Sequence, residues 1–135
     1  MRRYLLDTGI AGDYIHRRRG VYERARKEVR EGHIIGIGTP VLAELYYGVE
    51  YSDSADRNRK LLQRSLPDLA LWTLTEEASE IYGRLRAELR RGGRTIQAID
   101  VMVAAIAFTL NRCIVVSCDS DLLAVKGLSV ENWVT

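Results

Sequence analysis

The stretch RRYLLDTGIA (residues 2–11) runs from a short apolar segment directly into an aspartate. Residues 4–6 predict a buried strand, and Asp7 follows where a turn residue is common. The same arrangement returns near the far end of the chain, where CIVVSCDSD (residues 113–121) carries two more aspartates beyond its apolar part. Because ligands of a parallel α/β sheet collect at the carboxyl ends of its strands, these acidic residues are candidates for a functional site.

Short apolar runs alternate with helical patterns along the whole chain. This alternation predicts an α/β fold with a mainly parallel central sheet flanked by helices. No repeat or linker divides the 135 residues, so we expect one domain spanning 1–135. The predicted strands lie near 3–7, 34–38, 69–73, 114–117 and 128–130, and the predicted helices near 8–18, 21–31, 40–50, 54–65, 76–91, 97–111 and 120–126.

The composition is that of an ordinary globular protein, with 47% hydrophobic and 28% charged residues. No apolar run reaches the ~18 residues of a membrane span, and the N-terminus lacks a signal-peptide pattern. A cytoplasmic protein without membrane contact is therefore expected. Cys113 and Cys118 are five positions apart with no histidine beside them, which favours two buried, reduced thiols over a zinc site or a disulfide.

Two predicted helices carry acidic residues in unusual places. In GTPVLAELYYG (residues 38–48), Thr39 is predicted as the N-cap and Glu44 falls on the predicted core-facing stripe. QAIDVMVAAIAFTL (residues 97–110) is apolar nearly all round, yet Asp100 lies in its first turn. Helix capping alone would explain Asp100, but its position next to the other acidic residues favours a functional role.

These acidic residues are predicted to converge at the carboxyl edge of the sheet. Two carboxylates about 4 Å apart repel by ~4 kcal/mol at the dielectric usual near a protein surface, so such a cluster takes up protons or binds metal. A ligand set made only of oxygen suits Mg²⁺ or Mn²⁺, one or two ions, and such a site can hydrolyse phosphodiesters. The residues are Asp7, Glu44, Asp100, Asp119 and Asp121.

Arginine dominates the basic residues, with seventeen arginines against three lysines. Clusters occur at residues 17–19, at Arg24 and Arg26, and at 90–94. Arginine binds phosphate through a planar fork, so a cluster is consistent with RNA binding. For any single cluster a solvated helix face is the favoured alternative. Arg90, Arg91 and Arg94 are the preferred RNA-binding candidates, because the break at 92–93 exposes them before the Asp100 helix.

Four segments, in order and at the usual spacings, closely resemble the motif blocks of PIN-domain ribonucleases, in particular VapC-type toxins of toxin–antitoxin pairs. They are LLDTG (5–9), TPVLAELYYG (39–48), AIDVMVAAIA (98–107) and VVSCDSDLLAVKGLSVENW (115–133). The resemblance implies a PIN-like three-layer fold and Mg²⁺- or Mn²⁺-dependent cleavage of RNA. It also implies a homodimer held inactive by a small antitoxin protein.

Carried over block by block, the resemblance implies metal ligation by Asp7, Glu44 and Asp100. The last block supplies Asp119, Asp121 or both, since it fits two family spacings. Thr8 and Ser117 match hydroxyl positions that support the ligands. Gly9 and Leu122 depart from the family pattern without removing a carboxylate.

The sequence therefore predicts a metal-dependent endoribonuclease of the toxin kind. The alternatives are a PIN-type nuclease that processes RNA and a PIN-like module that only binds RNA or protein. A short chain without an added RNA-binding segment favours the toxin, and the clustered acids disfavour a pure binder of phosphate. Tyrosines on the predicted helices within 8–18 and 40–65 are candidates for the antitoxin surface, and a core or dimer role is equally open for them: Tyr14, Tyr46, Tyr47 and Tyr51.

Overall fold

Five parallel strands form the centre of the computed structural model, which describes residues 1–135. The strand order is β3-β2-β1-β4-β5, and every neighbouring pair is parallel. The prediction of a mainly parallel sheet is confirmed, and the sheet is parallel throughout. The strands are β1 (Arg3–Leu6), β2 (Ile34–Gly38), β3 (Ala70–Trp72), β4 (Cys113–Val116) and β5 (Val130–Glu131).

Helices connect and flank these strands, as the alternating sequence pattern predicted. Each predicted helix is present, and the largest difference is at the last one, which ends at Leu123 instead of residue 126. The helices are α1 (Thr8–His16), α2 (Val21–Arg30), α3 (Thr39–Tyr51), α4 (Ala55–Ser65), α5 (Glu76–Arg91), α6 (Ala98–Thr109) and α7 (Ser120–Leu123), with a 3₁₀ turn at Leu66–Asp68.

The core lies between the central strands and the apolar helices. Tyr4, Leu5 and Leu6 of β1 have no exposed surface, because β1 is the middle strand of the sheet. Helix α6 is buried over most of its length, which confirms the prediction from its all-round apolar sequence. Gly36 of β2 allows β3 to approach closely, since a Cβ at this position would lie 2.6 Å from the Ala70 carbonyl oxygen.

The chain changes direction across the sheet at β1. From β1 it adds β2 and β3 on one side, and it then returns to place β4 and β5 on the other side. The boundary between β1 and β4 is therefore the topological switch point, where parallel sheets open a crevice for ligands. Leu6 pairs with Val116 there, so the residues that follow, Asp7 and Ser117, emerge side by side at the carboxyl edge.

The start of α3 differs from its prediction by one residue. Gly38 is the N-cap and Thr39 is already helical, with Pro40 in the first turn. The Thr39 hydroxyl accepts a hydrogen bond from the Leu74 backbone N–H at 3.2 Å. The predicted capping role of Thr39 is therefore wrong, because its side chain ties α3 to the segment after β3.

The predicted burial of some side chains also needs correction. Both cysteines are free, as predicted, but only Cys113 is partly buried and Cys118 is exposed. Burial raises the pKa of the Cys113 thiol to about 12, so this thiol stays protonated. Tyr14 packs against Tyr22 in the core and is only 5% exposed, so it is not available to a partner. No helix has both the length and the apolar character needed to cross a membrane.

Candidate active site

Asp7 is the most firmly held acidic residue at the carboxyl edge of the sheet. It is 7% exposed and caps α1, accepting a hydrogen bond from the Ile10 backbone N–H at 2.8 Å. Burial raises the pKa of the Asp7 carboxyl, and hydrogen bonds from the Ser117 hydroxyl and Ile10 only partly offset this effect. The strand end and the helix cap together fix this carboxylate in place.

Ser117 links the first strand to the last motif block. Its side chain is buried, and its hydroxyl oxygen accepts a hydrogen bond from the Asp119 backbone N–H at 2.9 Å. Asp119 in turn caps α7, and its Oδ1 accepts from the Asp121 N–H at 2.9 Å. Asp119 is exposed and Asp121 is half-buried. A short chain of hydrogen bonds thus runs from Asp7 to Asp121.

Asp100 completes this group from the first turn of α6. It makes no capping hydrogen bond, and the N-cap of α6 is Gln97. Burial, together with the negative charges of three aspartates, raises the pKa of Asp100 to about 6. These four carboxylates interact electrostatically, and we call them the aspartate cluster: Asp7, Asp100, Asp119 and Asp121.

The aspartate cluster has no cationic partner among the side chains of the protein. No lysine or arginine forms an ion pair with any of its members. Its carboxylates are close enough to repel one another, yet no three of them bring oxygen atoms within 4.8 Å. The carboxylate oxygens are therefore further apart than the ligands of a bound metal ion would be. This separation is expected for like charges that no basic side chain offsets.

Glu44 does not join the aspartate cluster. The predicted core-facing position is wrong, because Glu44 lies on the exposed side of α3. It lines a cavity of about 250 Å³ between α1, α3 and α4, together with Thr8, the residue after Asp7. Gly48, one turn further along α3, also lines this cavity, and a Cβ there would meet nothing within 4 Å. Glu44 therefore lies outside the aspartate cluster, in the cavity next to it.

The predicted RNA-binding arginines lie at the end of α5 and just after it: Arg90 and Arg91 are its last two residues, and Arg94 lies on the connection to α6. Arg90, Arg91 and Arg94 are all exposed, and none forms an ion pair. Arg90 and Arg94 line a small cavity with Val101, the residue after Asp100. These arginines are therefore free to bind an anion next to the start of α6.

Asp13 is an acidic residue that the sequence analysis did not single out. It is only 5% exposed, and its charge contributes to the raised pKa of Asp7. Its carboxylate pairs with Arg18 and Arg19 on its two oxygens. The available signal was an aspartate within the buried stripe of α1, followed by consecutive arginines.

A second acidic group lies at the opposite edge of the sheet. Glu28, Glu31 and His33 bring ligand atoms within 4.8 Å of one another, and we call them the Glu28 group. Glu28 is already engaged, since it accepts hydrogen bonds from the Tyr4 hydroxyl at 2.9 Å and from Arg24 at 3.1 Å. These internal partners satisfy the buried carboxylate, so the Glu28 group is a structural network.

Comparison with known proteins agrees with this geometry. The family model of the PIN domain matches residues 4–128. The chain belongs to the PIN domain family. It is 30% identical to the Rickettsia felis protein named ribonuclease VapC2, over 96% of this chain and 97% of that protein. It is 29% identical to the Shigella flexneri tRNA(fMet)-specific endonuclease VapC, over 98% of this chain and 99% of that one.

The structural comparison points to the same branch of PIN domains. The crystal structure of VapBC2 from Rickettsia felis bound to a DNA fragment from its promoter contains a chain that superposes with a TM-score of 0.87 at 28% identity. The match covers 97% of this chain and 98% of that chain. The predicted PIN fold and the prediction of an endoribonuclease of the VapC kind are confirmed by these comparisons.

Proposed function

We propose that this chain is a metal-dependent endoribonuclease, the toxin of a VapBC-like pair, which cleaves RNA in the cytoplasm with a single domain spanning residues 1–135. The observation that carries the proposal is the aspartate cluster at the switch point of a PIN-domain sheet. Related proteins named ribonuclease or tRNA(fMet)-specific endonuclease make RNA the substrate class.

The aspartate cluster fits a divalent cation through the chemistry of its donors. All of its side chains offer carboxylate oxygens, and no histidine or cysteine thiol competes as a ligand within the cluster, so Mg²⁺ or Mn²⁺ is the expected ion. The pKa values of Asp7 and Asp100 are raised first by burial and further by the negative charges of neighbouring aspartates, and a bound cation would offset that repulsion. A bound cation would supply activation of water and stabilisation of negative charge on the phosphodiester.

The protein's own residues position this chemistry. The Ile10 N–H and the Ser117 hydroxyl hold Asp7, and the Asp121 N–H holds Asp119, so the carboxylates keep their orientation before substrate arrives. Thr8 and Glu44 line the adjoining cavity, and we assign Glu44 an outer role in metal or substrate binding. The proposed catalytic centre therefore consists of Asp7 directly after β1, Asp119 and Asp121 in the segment after β4, and Asp100 from α6.

Arg90, Arg91 and Arg94 are the proposed backbone-binding residues on the α6 side of this centre. Their exposed guanidinium groups lack internal partners, and phosphate contacts of this type supply most of the affinity for nucleic acid. Replacing all three with glutamine should weaken RNA binding and lower its salt dependence by ~0.7–0.9 log units for each phosphate that is no longer neutralised. An unchanged salt dependence would show that these arginines are solvated surface residues that do not bind the RNA backbone.

The proposed partners are a small antitoxin and a second copy of the chain. The chain's structural relative is VapBC2, and VapBC proteins form a family of toxin–antitoxin systems. Tyr47 and Tyr51 offer a surface for an antitoxin. They are 64% and 81% exposed on α3, with ring centroids 6.0 Å apart, beyond the cavity that Glu44 lines. Exposed aromatic pairs of this kind provide rigid contact area in interfaces.

The activity is tested with purified protein freed of any antitoxin. Labelled bulk transfer RNA, ribosomal RNA and a messenger transcript are incubated with Mn²⁺, with Mg²⁺ or with EDTA. We expect cleavage that needs the metal and that stops when the co-expressed antitoxin is added back. No cleavage under any metal, or equal cleavage in EDTA, contradicts the enzyme; cleavage that continues with the antitoxin bound favours an RNA-processing nuclease instead.

A further inference from the structure

The triple arginine at residues 17–19 divides into two different environments in the structure. Arg17 turns away from the site and stacks over the Tyr22 ring, with its guanidinium carbon 4.2 Å from the ring centre. Arg18 and Arg19 instead turn back to the buried Asp13. All three arginines are exposed, but only Arg18 and Arg19 are held by the same carboxylate.

We propose that Asp13 is a positioning residue that holds Arg18 and Arg19 as two phosphate-binding arms beside the aspartate cluster. The proposal rests on the proposed function, since it assigns residues that bind the backbone of the RNA substrate. We call Asp13, Arg18 and Arg19 the Asp13 clamp.

The contacts of the Asp13 clamp define the direction of each arm. The Arg18 Nε lies 3.6 Å from Oδ1 of Asp13, and this arginine lines the cavity that Thr8 and Glu44 share. The Arg19 Nε donates to Oδ2 at 2.8 Å, and its Nη2 lies 2.6 Å from the same oxygen. The pKa of Arg19 is raised first by Asp13 and further by Cys118, the residue before Asp119. The arms thus approach the cluster from the Asp7 side and from the Asp119 side.

Both arms keep donors for a ligand. The side chains of Arg18 and Arg19 are 61% and 47% exposed, while that of Asp13 is only 7% exposed. The Nη1 group of Arg19 takes no part in the contacts with Asp13. Two arginines on one carboxylate leave a net positive charge next to four aspartates that would repel a phosphate. A guanidinium with free N–H groups is well suited to binding a phosphate oxygen there.

The backbone around the arms is held in a strained form. Arg17 and Arg19 both have a φ of 54°, in the left-handed region that residues other than glycine rarely adopt. The Arg19 carbonyl accepts a hydrogen bond from the Thr135 N–H at 3.0 Å, and the Arg18 N–H donates to the Asp13 carbonyl at 2.8 Å. Arg17 is the C-cap of α1, and these backbone hydrogen bonds fix the turn from which both arms extend.

RNA binding in EDTA tests the arms without any cleavage. We would measure binding of fluorescently labelled bulk transfer RNA over a range of salt concentrations. Arg18→Gln and Arg19→Gln should each weaken binding about tenfold and reduce the salt dependence by about one phosphate contact. Arg17→Gln, with the same change of charge one residue away, should change binding less than about twofold. Equal effects of all three variants would overturn the proposal, because they would indicate only the removal of one surface charge.

Asp13→Asn separates positioning from charge. The substitution makes the protein more positive, so a simple basic patch would bind RNA more tightly. The Asp13 clamp predicts the opposite, a loss of affinity close to that of the double variant Arg18→Gln/Arg19→Gln. Tighter or unchanged binding by folded Asp13→Asn overturns the proposal. If circular dichroism shows that Asp13→Asn does not fold, the comparison of Arg19→Gln with Arg17→Gln decides alone.

Steady-state kinetics provide the second measurement. Arg19→Gln should raise KM about tenfold and change kcat less than about twofold, because the arm binds substrate without touching the reacting atoms. Wild-type protein that binds RNA in EDTA through these arms but never cleaves it would contradict the proposed function and leave the Asp13 clamp intact. A fall in kcat at unchanged KM would overturn the assignment of the arms.

Discussion

The two edges of the sheet each hold a group of acidic side chains, and the pKa values of the buried carboxyls shift in opposite directions at the two edges. At the amino edge, burial alone would raise the pKa of Glu28, but hydrogen bonds from Tyr4 and Arg24 outweigh it and lower that pKa. At the carboxyl edge, burial and three neighbouring charges raise the pKa of Asp100 to about 6. The Glu28 group is satisfied by the protein itself, whereas the aspartate cluster is not.

This difference shows why proximity of carboxylates is a poor guide to a metal site. The Glu28 group has the tighter geometry, but both oxygens of Glu28 are already bonded and His33 accepts a hydrogen bond from the Arg2 N–H at 2.9 Å. The carboxylates of the aspartate cluster are further apart, and no basic side chain is paired with them. A divalent ion would therefore stabilise the aspartate cluster more than the Glu28 group. A site that binds metal is expected to carry a charge excess before the metal arrives.

The largest effect is expected for Asp100→Asn. Removal of this carboxylate should reduce RNA cleavage by ~10³-fold at saturating Mn²⁺, the scale of removing a key electrostatic group. The melting temperature of the metal-free protein should stay the same or rise, because repulsion with Asp7 and Asp119 is relieved. Glu31→Gln in the Glu28 group is the matched control and should leave cleavage unchanged. Full activity of Asp100→Asn would show that Asp100 is not part of the catalytic site.

Asp119 and Asp121 should differ in the size of their effects. Asp119 raises the pKa of both Asp7 and Asp100, whereas Asp121 acts only on Asp100, so Asp119 is nearer the middle of the cluster. We expect Asp119→Asn to lower cleavage by ~10²-fold or more, and Asp121→Asn by ~10-fold with a higher Mg²⁺ requirement. Asparagine also caps helices, so α7 is retained in both variants. Metal titrations showing the reverse order would make Asp121 the primary ligand.

Glu28→Gln should lower the stability of the protein and leave RNA cleavage unchanged. The substitution weakens two hydrogen bonds of a carboxylate whose side chain is 4% exposed, and we expect a decrease of ~2 kcal/mol in the free energy of unfolding. Arg24 is 39% exposed, so it regains water and limits the cost. Chemical denaturation measures the decrease. Cleavage per folded molecule should match the wild type, and a specific reduction of activity would show that the two edges are coupled.

The aspartate cluster should also make stability fall as pH rises in the absence of metal. The folded-state pKa of Asp100, about 6, lies above its ordinary value of 3.8, so the folded protein retains this proton more strongly than the unfolded chain. The contribution of protonated Asp100 to the free energy of unfolding is complete below about pH 4 and is lost as pH rises through 6. The expected change is ~2 kcal/mol once solvent screening is allowed for. Denaturation curves of wild type and Asp100→Asn at several pH values isolate the effect. An identical pH dependence of the two proteins would contradict it.

The sequence predicted the strand ends well because the signal is local. An apolar run followed by an aspartate places that residue at a sheet edge whatever the rest of the fold does, and both Asp7 and Asp119 lie there. The nearly all-apolar α6 likewise had to be buried, which carried Asp100 to the same edge. These inferences needed only periodicity and the rule that parallel strands share a direction.

The errors involve tertiary contacts that periodicity does not determine. Glu44 was assigned to the core face of α3, but it is exposed and lines an open cavity between α1, α3 and α4. For Tyr14 both an antitoxin contact and a core role were open, and its packing against Tyr22 of the next helix decides for the core. Asp13 was missed because its partners, Arg18 and Arg19, follow the end of α1 and return to it only through a left-handed turn.

Calorimetric titration with Mn²⁺ measures whether the aspartate cluster binds the metal, and it needs neither the natural RNA nor the antitoxin. Wild type, Asp100→Asn and Glu31→Gln are compared after the same EDTA treatment. We expect wild type and Glu31→Gln to bind Mn²⁺ alike and Asp100→Asn to bind it at least about tenfold more weakly. Binding that disappears in Glu31→Gln and survives unchanged in Asp100→Asn would place the metal in the Glu28 group, at the opposite edge of the sheet, and rule out the aspartate cluster as the metal site.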